Sequence, residues 1–343
     1  MTLKERIALM TRLGAYFLEN NNDWQTAKEQ AYRQNPWFIP AYIDKAVNQI
    51  AQAFLTREAL DNWAAPYPSF KSEDYGPEVG IVMAGNLPLV GFHDFLSVFI
   101  SGCRQRIKLS SKDSVLWQHI FRELQEWRPE TEQLIAVGEQ LKNCAAYIAT
   151  GSNNSSRYFQ YYFAKFPHII RKSRSSIAVL TGRETPEALS ALCDDICLYF
   201  GLGCRNVTQV FVPENYDFGP LKKALKKYEH HLDYSRYKNN YDYQLALVLL
   251  NKIDYQAMEP VILVPSDSLF APISVLHYQT YGSREQLSNA LPPVEELQCI
   301  VAEPDSIPDN FPATTFGQSQ FPVLDDYADG VNTLEFLSAL KIS

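Results

Sequence analysis

From residue 79 to about residue 213, short apolar runs alternate with longer amphipathic ones, and this rhythm limits the fold more than any other feature. VGIVMA (79–84), RQRIKLS (104–110), LIAV (134–137), AAYIATG (145–151), SSIAVLTG (175–182) and VTQVFV (207–212) have the length and apolar content of strands. LVGFHDFLSVFIS (89–101), KDSVLWQHIFRELQEW (112–127), SSRYFQYYFAKF (155–166) and TPEALSALCDDICLYF (185–200) have the length of helices. Asp113 and Ser114 are good capping types for the second of these. Thr185, Pro186 and Glu187 suit the start of the last, with Gly201 and Gly203 to stop it. Parallel strands need crossovers of this length. The expected class is therefore α/β, a parallel sheet with helices on both faces.

Residues 1–65 read as helices, the first with Ile7, Met10, Leu13 and Phe17 on one face. AAPYPSFKSEDYGPE (64–78) carries three prolines and reads as a linker. Beyond residue 213, LKKALKKYEHHL and YDYQLALVLLNKI read as helices, VILVP (261–265) and ISVLHYQTY (273–281) as strands. A proline-rich loop around Pro304–Pro312 precedes a last short helix, TLEFLSAL (333–340). A chain of 343 residues has the length of two ordinary domains.

Composition removes several classes of function. Hydrophobic residues make up 46% of the chain, enough for a large core, and the formal net charge of −8 opposes a nucleic-acid binder. No apolar run reaches the roughly 18 residues of a membrane span, and the first twenty residues lack the apolar centre of a secretory signal. Six cysteines are scattered without a CxxC pair or paired framework, as expected for reduced thiols in a cytoplasmic protein. The six histidines form no HxxxH or HExxH pattern, so no metal site is expected.

Four places can carry chemistry. AGNLP (84–88) ends a strand, where open α/β sheets bind ligands; Asn86 there is either a helix N-cap or an amide aimed at a developing oxyanion. IKLSSKD (107–113) ends another strand, so that Lys108 and Ser111 suit a ribose hydroxyl or a phosphate, or else are solvated surface groups. ATGSN (149–153) places Gly151 and Ser152 where a helix N-terminus receives an anion, although no GxGxxG fingerprint is present. In YFGLGCRNVTQVFVP (199–213), Cys204 is either a small apolar filler at a tight turn or a nucleophile presented by it. Cys193 and Cys197 read as buried and inert.

Taken in order, AGNLP, IKLSSKD, ATGS, GLGCRNVTQVFVP and LFAPI (269–273) resemble the aldehyde dehydrogenase superfamily. The resemblance runs from about residue 79 to the C-terminus, and the helical N-terminal region matches only loosely. NNYDYQLALVLLN (239–251), APISVLHY (271–278) and FGQSQFPVLDDYADGVNTLEFL (316–337) resemble more closely the LuxC-like acyl-CoA reductases, in particular their short stand-alone bacterial type. The resemblance implies an aldehyde-dehydrogenase-like fold. Its domains would be a helical region over 1–78, a cofactor-binding domain over 79–170, a catalytic domain over 171–300, and a tail over 301–343 packing back on the core. It implies that Cys204 is the nucleophile and Asn86 the oxyanion donor. Lys108, 22 residues after Asn86, would hold the adenosine ribose, Gly151 and Ser152 would lie near the cofactor, and Phe270 would lie near the nicotinamide ribose. NADPH or NADH would be the cofactor, an acyl-CoA the substrate, and the assembly a homo-oligomer.

The sequence departs from aldehyde-oxidising members twice. Their glutamate base falls where this chain has PHIIRKSR (167–174), with no acid, and a second glutamate is replaced by Ser268. Oxidation needs the base to activate water against a thioester; reduction of an acyl-CoA does not. The expected activity is therefore reduction of a fatty acyl-CoA to an aldehyde. The alternatives are another acyl-phosphate or thioester reductase, such as the glutamyl-phosphate type, a cysteine acyltransferase or thioesterase without nicotinamide, and a non-catalytic binder of nucleotide or acyl-CoA. The basic run LKKALKK (221–227) keeps a short charged substrate open.

Overall fold

The computed structural model describes every residue except 20, 73, 308–310, 312 and 343, so part of the proline-rich loop lies outside the described residues. The chain divides into two compact units, Met1–Ser173 with Val323–Ser343, and Arg174–Pro322.

The first unit begins with helices α1 (Leu3–Leu18), α2 (Asn22–Gln34), α3 (Pro40–Gln49) and α4 (Arg57–Ala64). A capping box between Thr2 and Glu5 starts α1, which buries Ile7, Met10, Leu13 and Phe17 as its periodicity predicts. Five strands follow, with a helix between each successive pair except β3 and β4: β1 (Gly76–Val82), α5 (Phe92–Ser101), β2 (Cys103–Lys108), α6 (Ser114–Trp127), β3 (Ile135–Val137), β4 (Ala146–Thr150), α7 (Asn153–Phe163) and β5 (His168–Arg171). β1 starts earlier than the sequence predicts, because Pro77 is absorbed at a register irregularity between Gly76 and Glu78.

All pairings in this sheet are parallel, and the strand order is β3-β2-β1-β4-β5. The order reverses between β1 and β4, which makes their carboxyl ends the topological switch point where such sheets bind ligands. Val82 lies level with Lys108 on one side and Ala149 on the other. Below the sheet, Trp24, Phe92, Phe95, Phe99 and Trp117 are buried together in one core with the N-terminal helices.

The second unit holds β6 (Ser175–Val179), α8 (Pro186–Cys197), β7 (Val207–Pro213), α9 (Gly219–Leu225), α10 (Ser235–Leu250), β8 (Gln256–Ala257), β9 (Ile262–Pro265), β10 (Val275–Tyr281), α11 (Arg284–Ala290), β11 (Leu297–Val301) and β12 (Ala313–Thr314). Their order in the sheet is β12-β11-β6-β7-β10-β9-β8, parallel except for the short antiparallel edge β8. The expected α/β class with parallel sheets holds for both units. The chain ends in α12 (Thr333–Ile342), which belongs to the first unit and packs against α5 there.

Candidate functional site

In the first unit, the candidate residues gather at the carboxyl ends of three adjacent strands. The chain leaves β1 at Val82, and Asn86 stands exposed in the bend that follows. Helix α5 begins only at Phe92, with Gly91 in the cap position and no side-chain cap, so Asn86 is not its N-cap. The helix starts three residues later than predicted because Leu89 takes a left-handed conformation, φ 54°. The Leu89 N–H donates to Asp113 Oδ2 at 2.8 Å, and Trp117 Nε1 donates to the same oxygen at 3.2 Å. Asp113 occupies the cap position of α6 but makes no cap bond there; its carboxyl turns inward to hold the Asn86 bend instead. Burial raises its pKa well above the usual carboxylate range, outweighing those two donors. Gly85 is required here: a Cβ at that position would collide with the Ser110 hydroxyl.

Lys108 ends β2 exposed, and Ser111 is exposed in the following turn, its carbonyl accepting from Gln34 Nε2 at 2.6 Å. Next to β1 on the other side, β4 leads into Gly151 and Ser152. Ser152 is the N-cap of α7 and accepts the Ser155 N–H at 3.2 Å. The predicted start of that helix at 155 moves back to 153 on account of this cap. The acid-free stretch 167–174 contributes β5, a strand the sequence reading missed. Its last residue, Arg171, is buried and donates to Asp94 at 2.8 Å, Thr333 Oγ1 at 2.9 Å and the Ala328 carbonyl at 2.6 Å.

In the second unit, the nucleophile candidate sits at the opposite kind of edge. Cys204 lies three residues before β7, at the amino end of the sheet, and its thiol is the exposed one of the six cysteines. Cys103, Cys144, Cys193 and Cys197 are buried, and burial pushes Cys144 up to about 11 and Cys193 up to about 12. The predicted helix into Cys204 stops at Cys197, short of Phe200. Tyr199, Phe200 and Gly201 then take three successive left-handed conformations, φ 54°, 59° and 72°. Two of these carry side chains, each at a cost of about 1–2 kcal/mol.

Local packing and one side chain hold this strained turn. The Phe200 ring is buried against His231, Tyr234 and Tyr237, with centroids 4.6, 5.3 and 5.6 Å away. Asn206, 1% exposed, donates to the carbonyls of Asp195 (3.1 Å), Ile196 (3.3 Å) and Leu198 (2.9 Å), closing the end of α8. Its oxygen accepts the Gly203 N–H at 2.8 Å. Ser176, at the start of β6, donates to the Cys204 carbonyl at 2.9 Å and accepts the Cys299 N–H at 3.1 Å. Phe270 lies at the same edge, 45% exposed, on the connection from β9 to β10. That connection is pinned by Thr208 on the Leu269 carbonyl (2.6 Å), Gln209 on Ser266 (3.0 Å) and His277 Nδ1 on Ser268 (2.7 Å). The carbonyl acceptor fixes the His277 proton on Nδ1, and burial lowers that ring's pKa.

Sequence reasoning read Asp113 only as the cap of α6, and it missed Ser176, Asn206 and His277, whose partners lie far away in sequence or are backbone groups. Only Asn206 left a local signal, a turn-forming residue three positions after Gly203. Among the described residues, no cluster of three His, Cys, Asp or Glu side chains is arranged to hold a metal, and no helix is long and apolar enough to cross a membrane.

No family model and no curated protein matches the chain. Solved structures do. The oxidoreductase from Marinobacter aquaeolei superposes with a TM-score of 0.71 at 11% identity, covering 94% of this chain and 79% of that one. An NAD-dependent aldehyde dehydrogenase from Sinorhizobium meliloti gives 0.67 at 12% identity, with 88% and 70% covered. The NAD⁺ complex of aldehyde dehydrogenase from Bacillus cereus gives 0.61 at 14% identity, with 90% and 73% covered. The fold is that of the aldehyde dehydrogenases: an α/β chain with one parallel sheet of switch-point topology and a second, mostly parallel sheet.

Proposed function

We propose that this chain is a nicotinamide-dependent acyl-CoA reductase that works through a thioester on Cys204. The observation that carries the reading is the exposed thiol on a strained turn, in a fold shared with NAD-dependent aldehyde dehydrogenases. In the reaction, the Cys204 thiolate adds to the carbonyl carbon of the acyl-CoA. The Asn86 amide and the Cys204 backbone N–H donate to the oxyanion that forms. Collapse breaks the carbon–sulfur bond to CoA, which leaves as a thiolate, and the acyl group remains on Cys204. A reduced nicotinamide, when bound, supplies the hydride that turns this acyl group into an aldehyde. Cys204 then departs as a thiolate and is free for another turnover.

The first unit fits such a cofactor. Its strand order reverses between β1 and β4, and Lys108, Ser111, Gly151 and Ser152 line the neighbouring strand ends. Lys108 brings a cation for a phosphate or a donor for a ribose hydroxyl. The N-terminus of α7 brings N–H groups that favour negative charge. Phe270 offers an exposed aromatic face for the nicotinamide end. The absence of an acid at 167–174 accords with reduction. That stretch carries no carboxylate of its own, and its Arg171 is tied to Asp94.

A second reading is an acyl-phosphate reductase of the same mechanism. It draws on exposed Lys222 and Lys223 in LKKALKK, suited to a short anionic substrate. Intact-mass measurement of wild type and Cys204→Ala, after incubation with short and long acyl-CoAs and no cofactor, tests the proposal. The expected result is one acyl adduct on wild type and none on the variant. An adduct on both, or on neither with any acyl-CoA, overturns it.

A further inference from the structure

Beneath the Cys204 turn lies a buried carboxylate that no step of the reaction uses. Asp195 is fully buried on α8. Its Oδ2 accepts the Gly317 N–H at 2.6 Å, and its Oδ1 accepts the Ser319 N–H at 3.1 Å and the Ser319 hydroxyl at 2.7 Å. Gly317 is left-handed (φ 81°), and a Cβ there would stand 3.0 Å from Ala191 on the same helix, so the segment is pressed onto α8. The Asp195 carbonyl accepts from Asn206, which in turn holds the Gly203 N–H beside Cys204. A second link runs through Arg205, whose guanidinium reaches the Ser319 carbonyl at 3.5 Å and Cys299 Sγ at 3.3 Å.

We propose that Asp195 is a positioning residue: its carboxylate, acting with Asn206, locks the Gly317–Ser319 segment and the Cys204 turn into one rigid unit. Three donors converge on the two oxygens of the Asp195 carboxylate, and its charge strengthens each bond. Other groups surround it. Asp194 is next to it on α8, its carboxylate bound by Lys227 and Tyr228; Arg205 and Cys299 face the segment; His231 packs on Phe200 from the neighbouring helix. Burial, opposed by the Ser319 and Gly317 donors, raises the Asp195 pKa to about 6.

The inference rests on the reading of Cys204 as nucleophile only for its kinetic consequence, so the decisive test needs no substrate. Hydrogen exchange of the full chain, followed by mass spectrometry and corrected for intrinsic rates, is read on peptides spanning 315–321 and 199–206. In wild type, both are protected at pH 7.5. In Asp195→Asn both exchange about tenfold faster. Ser319→Ala, which keeps the carboxylate and removes one donor, speeds both by a smaller factor and guards against a variant that fails to fold. Unchanged protection in both variants overturns the grip; a change confined to 315–321 overturns the link to the Cys204 turn. Where Cys204 acylation is measured as well, Asp195→Asn lowers its maximal rate and leaves the acyl-CoA concentration for half-maximal rate unchanged. An unchanged maximal rate overturns the positioning role. A chain that exchanges as expected yet takes no acyl group refutes the reductase reading and leaves the lock standing.

Discussion

The edge bearing Asn86 and the edge bearing Cys204 present their residues in different ways. Asn86, Lys108 and Ser152 stand at the carboxyl ends of parallel strands, where the chain turns toward helices. One buried acid, Asp113, steadies the Asn86 bend. Cys204 stands at the amino end of a sheet, where no general rule puts a ligand site. It is held by two left-handed bulky residues, an aromatic cluster around Phe200 and a buried polar network through Asn206. The binding edge follows from topology, whereas the nucleophile edge is built against local preference and depends on its supports.

The largest expected effect separates chemistry from scaffold. Cys204→Ala should lower reductase turnover by more than about 10³-fold with denaturation midpoints unchanged, since the thiol is exposed. Urea melts and steady-state rates on the same preparations check this. Asn86→Ala comes next, at about 10²–10³ in kcat, the usual worth of an oxyanion donor. It too should leave stability within about 0.5 kcal/mol of wild type, because Asn86 is exposed. A near-normal kcat removes Asn86 from the mechanism.

The same contrast governed what could be read in advance. Regular alternation of strand and helix announced the α/β class, and the strand-end positions of Asn86, Lys108 and Ser152 followed from it. β5, β8, β11 and β12 went unread: β8 and β12 have only 2 residues each, and polar residues flank or interrupt the short apolar runs of β5 (HIIR) and β11 (LQCIV). The end of α8 was misplaced because the apolar spacing continues through Phe200, while the actual stop is Asn206, reaching back eight residues to the Leu198 carbonyl. Asp195 and Ser176 act on backbone groups 122 and 28 positions away, and no local pattern marks such partners.

Asn206→Ala breaks the comparison if the Cys204 edge does not depend on its supports. The change strips four hydrogen bonds from buried groups and should cost about 2–3 kcal/mol. Acylation of Cys204 should slow with it, in contrast to Asn86→Ala, which alters rate alone. A stability change under about 0.5 kcal/mol, measured by urea denaturation, means that the left-handed turn stands without Asn206.

The smallest effect concerns acid. His231 is buried against Phe200, Tyr228 and Tyr237, and burial lowers its pKa to about 3. A histidine whose folded pKa lies below its unfolded value of about 6.5 supports the fold above pH 6.5 and withdraws that support as the pH falls toward 3. Asp195 runs the other way. Its raised pKa makes the folded state gain stability as the pH falls from about 6 toward 4, so the two trends partly cancel in the wild type. His231→Phe keeps an aromatic ring in the cluster and removes the titrating group. Between pH 6.5 and pH 5.5 the wild type should lose about 1 kcal/mol relative to this variant, read as the difference of two urea-denaturation series. Parallel curves mean that the aromatic packing under Phe200 takes up a charged ring without penalty, and the support under the strained turn is softer than its burial implies.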